Sequence, residues 1–298
     1  MKRTLLFQNP GALNLHNGQM VINRPDAEPE MVPIEDVGLV MVESQQFTMT
    51  EPVIVCLADN NVPLVCCDAN HCPASISFPM KGHCFQGQII KKQLAADKSV
   101  SENLWREIVR RKITAQIGFL QELDMSTERM NDYLASILND SPIDEVVAME
   151  GAAAKFYFDG LFGKFFRRGR YGKTPNDYLN YGYTVLRAVV IRELIGSGLF
   201  LGEGLYHCNR SNEFPLADDV IEPYRVYVDR IVYDMFCQGE TGFDSGTRQR
   251  LLKILSTEVK VKGFKHTLSD AVGMTAVSVM KILTGSSGIE NLVYPDVG

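Results

Sequence analysis

The sequence predicts an α+β protein: a small N-terminal β domain over residues 1–86, then an all-helical domain over residues 87–298. Three observations carry this. The first 86 residues hold alternating or β-branched apolar runs separated by turn residues. After about Gln88 the apolar spacing changes to i, i+3/i+4, the repeat of a helix with one buried face. Between them, Ala69 to Gly87 carries Pro73, Pro79, Gly82 and Gly87, which places the domain boundary near residues 85–92.

Each element follows from local chemistry. Ala12 to His16 and Gln19 to Asn23 flank Asn17-Gly18, a dipeptide suited to the positive φ angles of a tight hairpin. Val37 to Glu43 is a β-branched run fit for a buried strand, and Val62 to Asp68 reads as another. Thr50 before Glu51-Pro52 opens a short helix to about Leu57. In the second half, Glu102 to Leu123 sets Trp105, Ile108, Ile113, Ile117 and Leu120 on one face. Ser141-Pro142-Ile143-Asp144 starts a helix running through Glu150 to Ala154, with Pro where no N–H is needed. Pro175 opens a helix to about Ile195. Further helices are expected over Leu216–Phe236, Asp244–Leu255 and Leu268–Leu283. The 298 residues are 45% hydrophobic, enough for a real core, and show no internal repeat.

Composition excludes several classes. No run of 18 apolar residues is present, so no membrane span is expected, and the apolar stretch after the basic pair Lys2-Arg3 is too short for a signal peptide. Seven Cys without framework spacing suit a reduced, cytoplasmic protein. The net charge of -6 is concentrated: residues 1–86 hold four Lys/Arg against nine Asp/Glu, leaving residues 87–298 nearly neutral. A nearly neutral domain with clustered bases can still offer phosphates a positive stripe.

Three segments combine residues that suit chemistry. Glu150 is followed by Gly151 and three alanines, so small neighbours leave its carboxylate room to face a site. Gly204-Leu-Tyr-His207 delivers an imidazole from a Gly-containing turn. Leu216-Ala-Asp218-Asp219-Val-Ile-Glu222-Pro-Tyr224-Arg225 is read as helical, which would put Asp219 and Glu222 on one face and Asp218 elsewhere. Taken singly, each has a plain structural reading: a solvated Glu, a structural His, acids favouring a helix N-terminus.

Together the segments resemble a known family. Glu150 with Ala154, Tyr157 and Phe158, then Gly204-x-x-His207, then Leu216-Ala-x-Asp219-x-x-Glu222-Pro-Tyr224-Arg225 resemble the larger, catalytic subunit of the CRISPR adaptation machinery. Trp105 through Lys112-Ile113 and Gln116 resembles that family's first long helix. Pro175 to Tyr183 resembles its Pro-led helix, and the compact length its type II members. Cys208 and Asn209, after the His, depart from the pattern. The resemblance implies a DNA endonuclease and integrase, in which a captured fragment's 3′-OH attacks the edge of a repeat in a CRISPR array. It implies a Mg²⁺ or Mn²⁺ ion held by Glu150, His207 and Glu222, with Asp219 in support. Two carboxylates and an imidazole suit such an ion and leave positions open for water and phosphate oxygen. The implied partners are double-stranded DNA (captured fragment and repeat), a second copy of the chain paired through the β domain, a small second subunit, and other type II CRISPR proteins.

Nearby bases are candidate phosphate contacts. Lys155, Lys164, Arg167, Arg168, Arg170 and Lys173 form a run relieved by Asp159, with Gly163, Gly169 and Gly172 interspersed. Arg110, Arg111 and Lys112 on the first long helix form a second set. The plain alternative for both is a solvated surface. Three rival readings remain open. Cys66, Cys67, His71, Cys72, His83 and Cys84 are dense enough for zinc, although adjacent Cys on a strand point to opposite faces. A catalytically silent DNA-binding scaffold would use the same fold. A tyrosine recombinase would use Tyr171, Tyr181, Tyr183 or Tyr206, but no Arg–His–Arg constellation surrounds a late Tyr.

Overall fold

The structure is a computed structural model and describes residues 3–69, 71, 73–138, 140–169, 173–206 and 212–297. The chain divides into two compact units, Met1–Cys84 and Phe85–Gly298.

The first unit contains eight strands among its described residues: β1 (Arg3–Phe7), β2 (Gly11–His16), β3 (Gln19–Asn23), β4 (Glu30–Pro33), β5 (Val37–Val42), β6 (Phe47–Met49), β7 (Leu64–Cys67) and β8 (Pro73–Ser77), with helix α1 (Glu51–Asp59) between β6 and β7. They form two four-stranded sheets, ordered β1-β5-β7-β8 and β4-β3-β2-β6. Asn17 and Gly18 adopt φ of 50° and 75°, and the β2–β3 hairpin closes with His16 opposite Gln19. Strand β5 pairs in parallel with both β1 and β7. All six of its residues are buried, as a central strand covered on both faces requires. Leu13, Met20, Ile22, Val32, Val40, Val53 and Leu57 fill the core. Strand β8 lies within the stretch expected to be loop. It pairs antiparallel with β7 despite Pro73, because Pro stands at its first residue, where one missing N–H is tolerated.

The second unit is mainly helical: α2 (Gln86–Leu94), α3 (Lys98–Glu122), α4 (Glu128–Ser136), α5 (Ile143–Phe162), α6 (Asn176–Gly196), α7 (Pro215–Val220), α8 (Arg225–Cys237), α9 (Ser245–Leu252) and α10 (Leu268–Leu283). Helix α3 begins earlier than the apolar stripe suggests, because the Asp97 side chain caps it by accepting from the Ser99 N–H. It runs among α4, α5 and α8, burying Leu104, Trp105, Ile108, Val109 and Ile113. Helix α6 packs on α8, α9 and α10. At Gly182 the approach to α8 is so close that a Cβ would lie 2.5 Å from Val228 Cγ1.

Two features differ from the expected pattern. A two-stranded antiparallel ribbon, β9 (Glu258–Val261) and β10 (Phe264–Thr267), interrupts the helices. The helix expected over Leu216–Phe236 is broken. A 3₁₀ turn at Glu222–Tyr224 separates α7 from α8, because Pro223 has no N–H for the ladder and crowds the preceding turn. No helix among the described residues is long and apolar enough to cross a membrane.

Candidate active site

Glu150 projects from α5 and Glu222 from the 3₁₀ turn, and one cation holds both. The Lys112 ammonium, from α3, bonds to Glu150 Oε1 and lies 2.6 Å from Glu222 Oε2. Lys112 is 8% exposed, with its ammonium turned to the two acids and not out to solvent as its place in the Arg110-Arg111-Lys112 run suggested. Burial opposes its charge, but Glu222 and Glu150 outweigh that and raise its pKa above the ordinary lysine value. The other oxygen of Glu222, Oε1, accepts from Arg225 Nε at 2.9 Å. Burial likewise works against the Arg225 charge, and Glu222, Tyr183 and Asp218 raise its pKa on balance.

Asp219, in the last turn of α7, and Glu222, in the 3₁₀ turn that follows, have different partners. Asp219 Oδ2 accepts the N–H groups of Leu205 and Tyr206 at 2.6 and 3.2 Å. The Tyr206 ring stacks on Trp105 with centroids 5.4 Å apart. Asp219 and Trp105 therefore fix the backbone immediately before His207. His207 itself, with Cys208 and Asn209, lies outside the described residues. Asp218 pairs with Arg187 at 2.6 Å and accepts from Asn212.

A cavity of about 160 Å³ adjoins the acid pair, lined by Lys112, Gln116, Phe158, Arg168, Tyr183, Glu222, Arg225 and Asp229. Asp229 was not singled out in the sequence. It is 1% exposed and accepts hydroxyls from Tyr157 at 2.9 Å and from Tyr183. Burial pushes its carboxyl up to about 6, against the lowering effect of the two phenols and of Arg168 and Arg225.

The basic residues divide by what they touch. Lys155 and Arg167 are exposed but lie 2.7 and 3.6 Å from Asp159. Arg168 donates to Asn176 and Asn180, with its guanidinium 5.3 Å from the Tyr183 ring centre. Lys164 and Lys173 are exposed, and Arg170 lies outside the described residues. Arg110 is tied to the Ile137 carbonyl through two nitrogens, and Arg111 to Glu107. Among the Cys and His of the first unit, Cys67 is buried, Cys66 half-buried, and His71 Nδ1 lies 3.9 Å from Glu43 Oε2. Cys72 lies outside the described residues. Among the described residues no three His, Cys, Asp or Glu converge as a metal site. The acid pair supplies two such groups.

Residues 5–264 match the family described as CRISPR associated protein Cas1. The chain belongs to the Cas1 family. A relative named CRISPR-associated endonuclease Cas1, from Neisseria meningitidis serogroup C (strain 8013), is 33% identical over 264 residues, 87% of this chain and 85% of that protein. Among solved structures, a casposase bound to integration product superposes with a TM-score of 0.81 and 19% identity, covering 97% of this chain and 92% of that one. A Cas6-RT-Cas1–Cas2 complex gives 0.78 and 16% identity, covering 98% of this chain and 36% of that one. The motifs that resembled a Cas1 protein thus lie in a Cas1 fold.

The acid pair of this Cas1 family member fits a divalent ion. Two oxygen-donor carboxylates from separate elements already converge on one positive charge, and the Lys112 ammonium stands where a cation is stabilised. Oxygen ligands of this kind suit Mg²⁺ or Mn²⁺.

Proposed function

We propose that the chain is a metal-dependent DNA endonuclease and integrase that inserts DNA fragments as new spacers into a CRISPR array. The observation that carries this reading is the convergence of Glu150 and Glu222 on a single cation position, within a fold shared with a casposase. Glu150, Glu222 and His207 would hold the ion. Arg225 keeps Glu222 oriented, and Asp219 sets the backbone that leads to His207. When bound, a divalent ion polarises the scissile phosphodiester and lowers the pKa of the attacking hydroxyl. The chain's remaining task is to bring a 3′-OH into line with the repeat edge. Lys155, Lys164, Arg167, Arg168, Arg170 and Lys173 would take phosphates beside the site.

The partners follow from the same reading: double-stranded DNA, a second copy of the chain joined through residues 1–86, and the small subunit Cas2. A Cas1–Cas2 assembly among the fold neighbours supports the last. Strand transfer of a 3′-OH duplex into a supercoiled repeat-bearing plasmid tests the reading. Transfer is expected with less Mn²⁺ than Mg²⁺, because an imidazole nitrogen favours Mn²⁺. It should disappear with EDTA and in Glu150→Ala. Near-normal transfer by Glu150→Ala at saturating Mn²⁺ would refute the site.

One observation favours a second reading. Lys112 and Arg225 together already balance the charge of the acid pair, as they would in a catalytically silent DNA-binding scaffold where these residues merely pack. DNA binding without metal-dependent transfer would establish that alternative.

A further inference from the structure

Beside the acid pair lies a buried carboxylate that the proposed chemistry does not use. Asp229, on α8, has both oxygens engaged by phenols from two other helices. Oδ2 accepts the Tyr157 hydroxyl at 2.9 Å, and Oδ1 accepts the Tyr183 hydroxyl. Tyr157 is fully buried, and Tyr183 is 7% exposed.

Each phenol leads to one of the two acids. Tyr157 stands seven residues after Glu150 on α5, about 20° short of two full turns, so both project from nearly the same face. Holding the Tyr157 hydroxyl therefore fixes the rotation of α5 that aims Glu150. Tyr183, on α6, presents its ring to the Arg225 guanidinium at 4.6 Å. Arg225 in turn donates to Glu222 at 2.9 Å. The ring limits where the guanidinium can lie, and the guanidinium limits where the Glu222 carboxylate can turn.

We infer that Asp229 is a positioning residue for both acids, setting Glu150 through Tyr157 and Glu222 through Tyr183 and Arg225. The inference rests on the metal-site reading above. Groups that orient metal ligands typically govern metal affinity by roughly 10–100-fold, and the two hydroxyls are the contacts through which Asp229 does so. A purely structural role predicts something else: weakened helix packing with an unchanged site in whatever fraction remains folded.

Tyr157→Phe and Tyr183→Phe separate these roles, since each keeps the ring and removes one hydroxyl. Tyr178→Phe is the control. It also deletes a hydroxyl from α6, one that donates to the Gly242 carbonyl at 2.7 Å and touches neither acid. The measurements on the full-length chain are Mn²⁺ affinity by electron paramagnetic resonance, melting temperature, and strand transfer against Mn²⁺ concentration. Both Phe variants at 157 and 183 should bind Mn²⁺ roughly tenfold more weakly, with transfer largely restored at saturating Mn²⁺. The control should show a lower melting temperature alone. In a Glu150→Ala background, Tyr157→Phe should weaken Mn²⁺ binding no further. Mn²⁺ affinity unchanged in both variants, with only the melting temperature lowered, overturns the inference. If the unaltered chain binds Mn²⁺ no better than Glu150→Ala, the metal-site reading falls, and the inference falls with it.

Discussion

Lys112→Met is the perturbation with the most direct reading. Methionine keeps the length and apolar stem of the side chain and deletes only the ammonium. Two carboxylates then face each other without the cation that joins them. Removing one partner of a buried ion pair costs about 3–5 kcal/mol. The lower end applies to this site, because Arg225 still holds Glu222 and the Glu150 side chain is 22% exposed. For a domain of this size, about 3 kcal/mol lowers the melting temperature by roughly 6–12 °C. Divalent metal should reverse the loss. In the unaltered chain an incoming ion competes with the ammonium, whereas in the variant it enters a site with no resident charge. Mn²⁺ should therefore stabilise the variant more than the parent, by up to about 3 kcal/mol at a hundredfold excess over its dissociation constant. Scanning calorimetry in EDTA and across a Mn²⁺ series measures both effects. A variant as stable as the parent in EDTA, or an equal Mn²⁺ response in the two proteins, would refute the idea that Lys112 occupies a cation position.

Four further outcomes are expected. Asp219→Ala frees the N–H groups of Leu205 and Tyr206. It should lower strand transfer at least tenfold while leaving duplex affinity within about twofold, and a parallel drop in both would assign Asp219 to DNA binding. Replacing Arg167, Arg168 and Arg170 with Ala should weaken binding to all duplexes and flatten the salt dependence by about 0.9 units of log–log slope for each phosphate no longer neutralised. An unchanged slope returns the loop to solvent. Gly182→Ala sets a methyl against Val228 on α8. It should cost about 1–3 kcal/mol in urea unfolding, and an unchanged stability would mean the helices separate easily. The fourth concerns pH. The folded-state pKa of Asp229 is raised from 3.8 to about 6, so its favourable contribution is complete below pH 3.8 and is lost as pH rises through 6. Asp229→Asn lacks this dependence. Relative to the parent, its stability should improve by about 1 kcal/mol between pH 5 and pH 7.5, and a pH-independent difference would mean that burial does not hold the Asp229 carboxyl protonated.

What the sequence disclosed follows physical lines. The Asn17-Gly18 hairpin was legible because few dipeptides tolerate two positive φ angles. Helix α10 was legible to its ends, since Leu268 to Leu283 keeps one apolar stripe and Thr267 caps it. The acids Glu150 and Glu222 stood out through the spacing of family motifs. The convergence on Lys112 did not, because Arg110, Arg111 and Lys112 are consecutive and have the look of one basic run. The signal was present: Lys112 lies four residues after Ile108 and beside Ile113, on the face of α3 that is buried. Asp229 was missed for a similar reason. It lies between Val226 and Val232, three residues from each, on the inner face of α8, where an acid requires partners from other helices. Those partners, Tyr157 and Tyr183, are 72 and 46 residues away, which no local pattern reveals. The interruption at Glu222–Tyr224 is not legible in the apolar spacing, which runs on from Leu216 to Phe236, and only Pro223 marks it. Strand β1 is short and gains its definition from parallel pairing with β5, a partner more than thirty residues along the chain.

Asp219 and Glu222, three residues apart, are tied to different parts of the chain. Asp219 accepts from the backbone at Leu205 and Tyr206, while Glu222 accepts from Arg225 at the start of α8. One carboxylate thus ties a distant stretch of chain to the site, and the other shapes the wall of the cavity. Substitution should accordingly be least tolerated at Asp219, Glu222 and Arg225, which tie separate segments to one site.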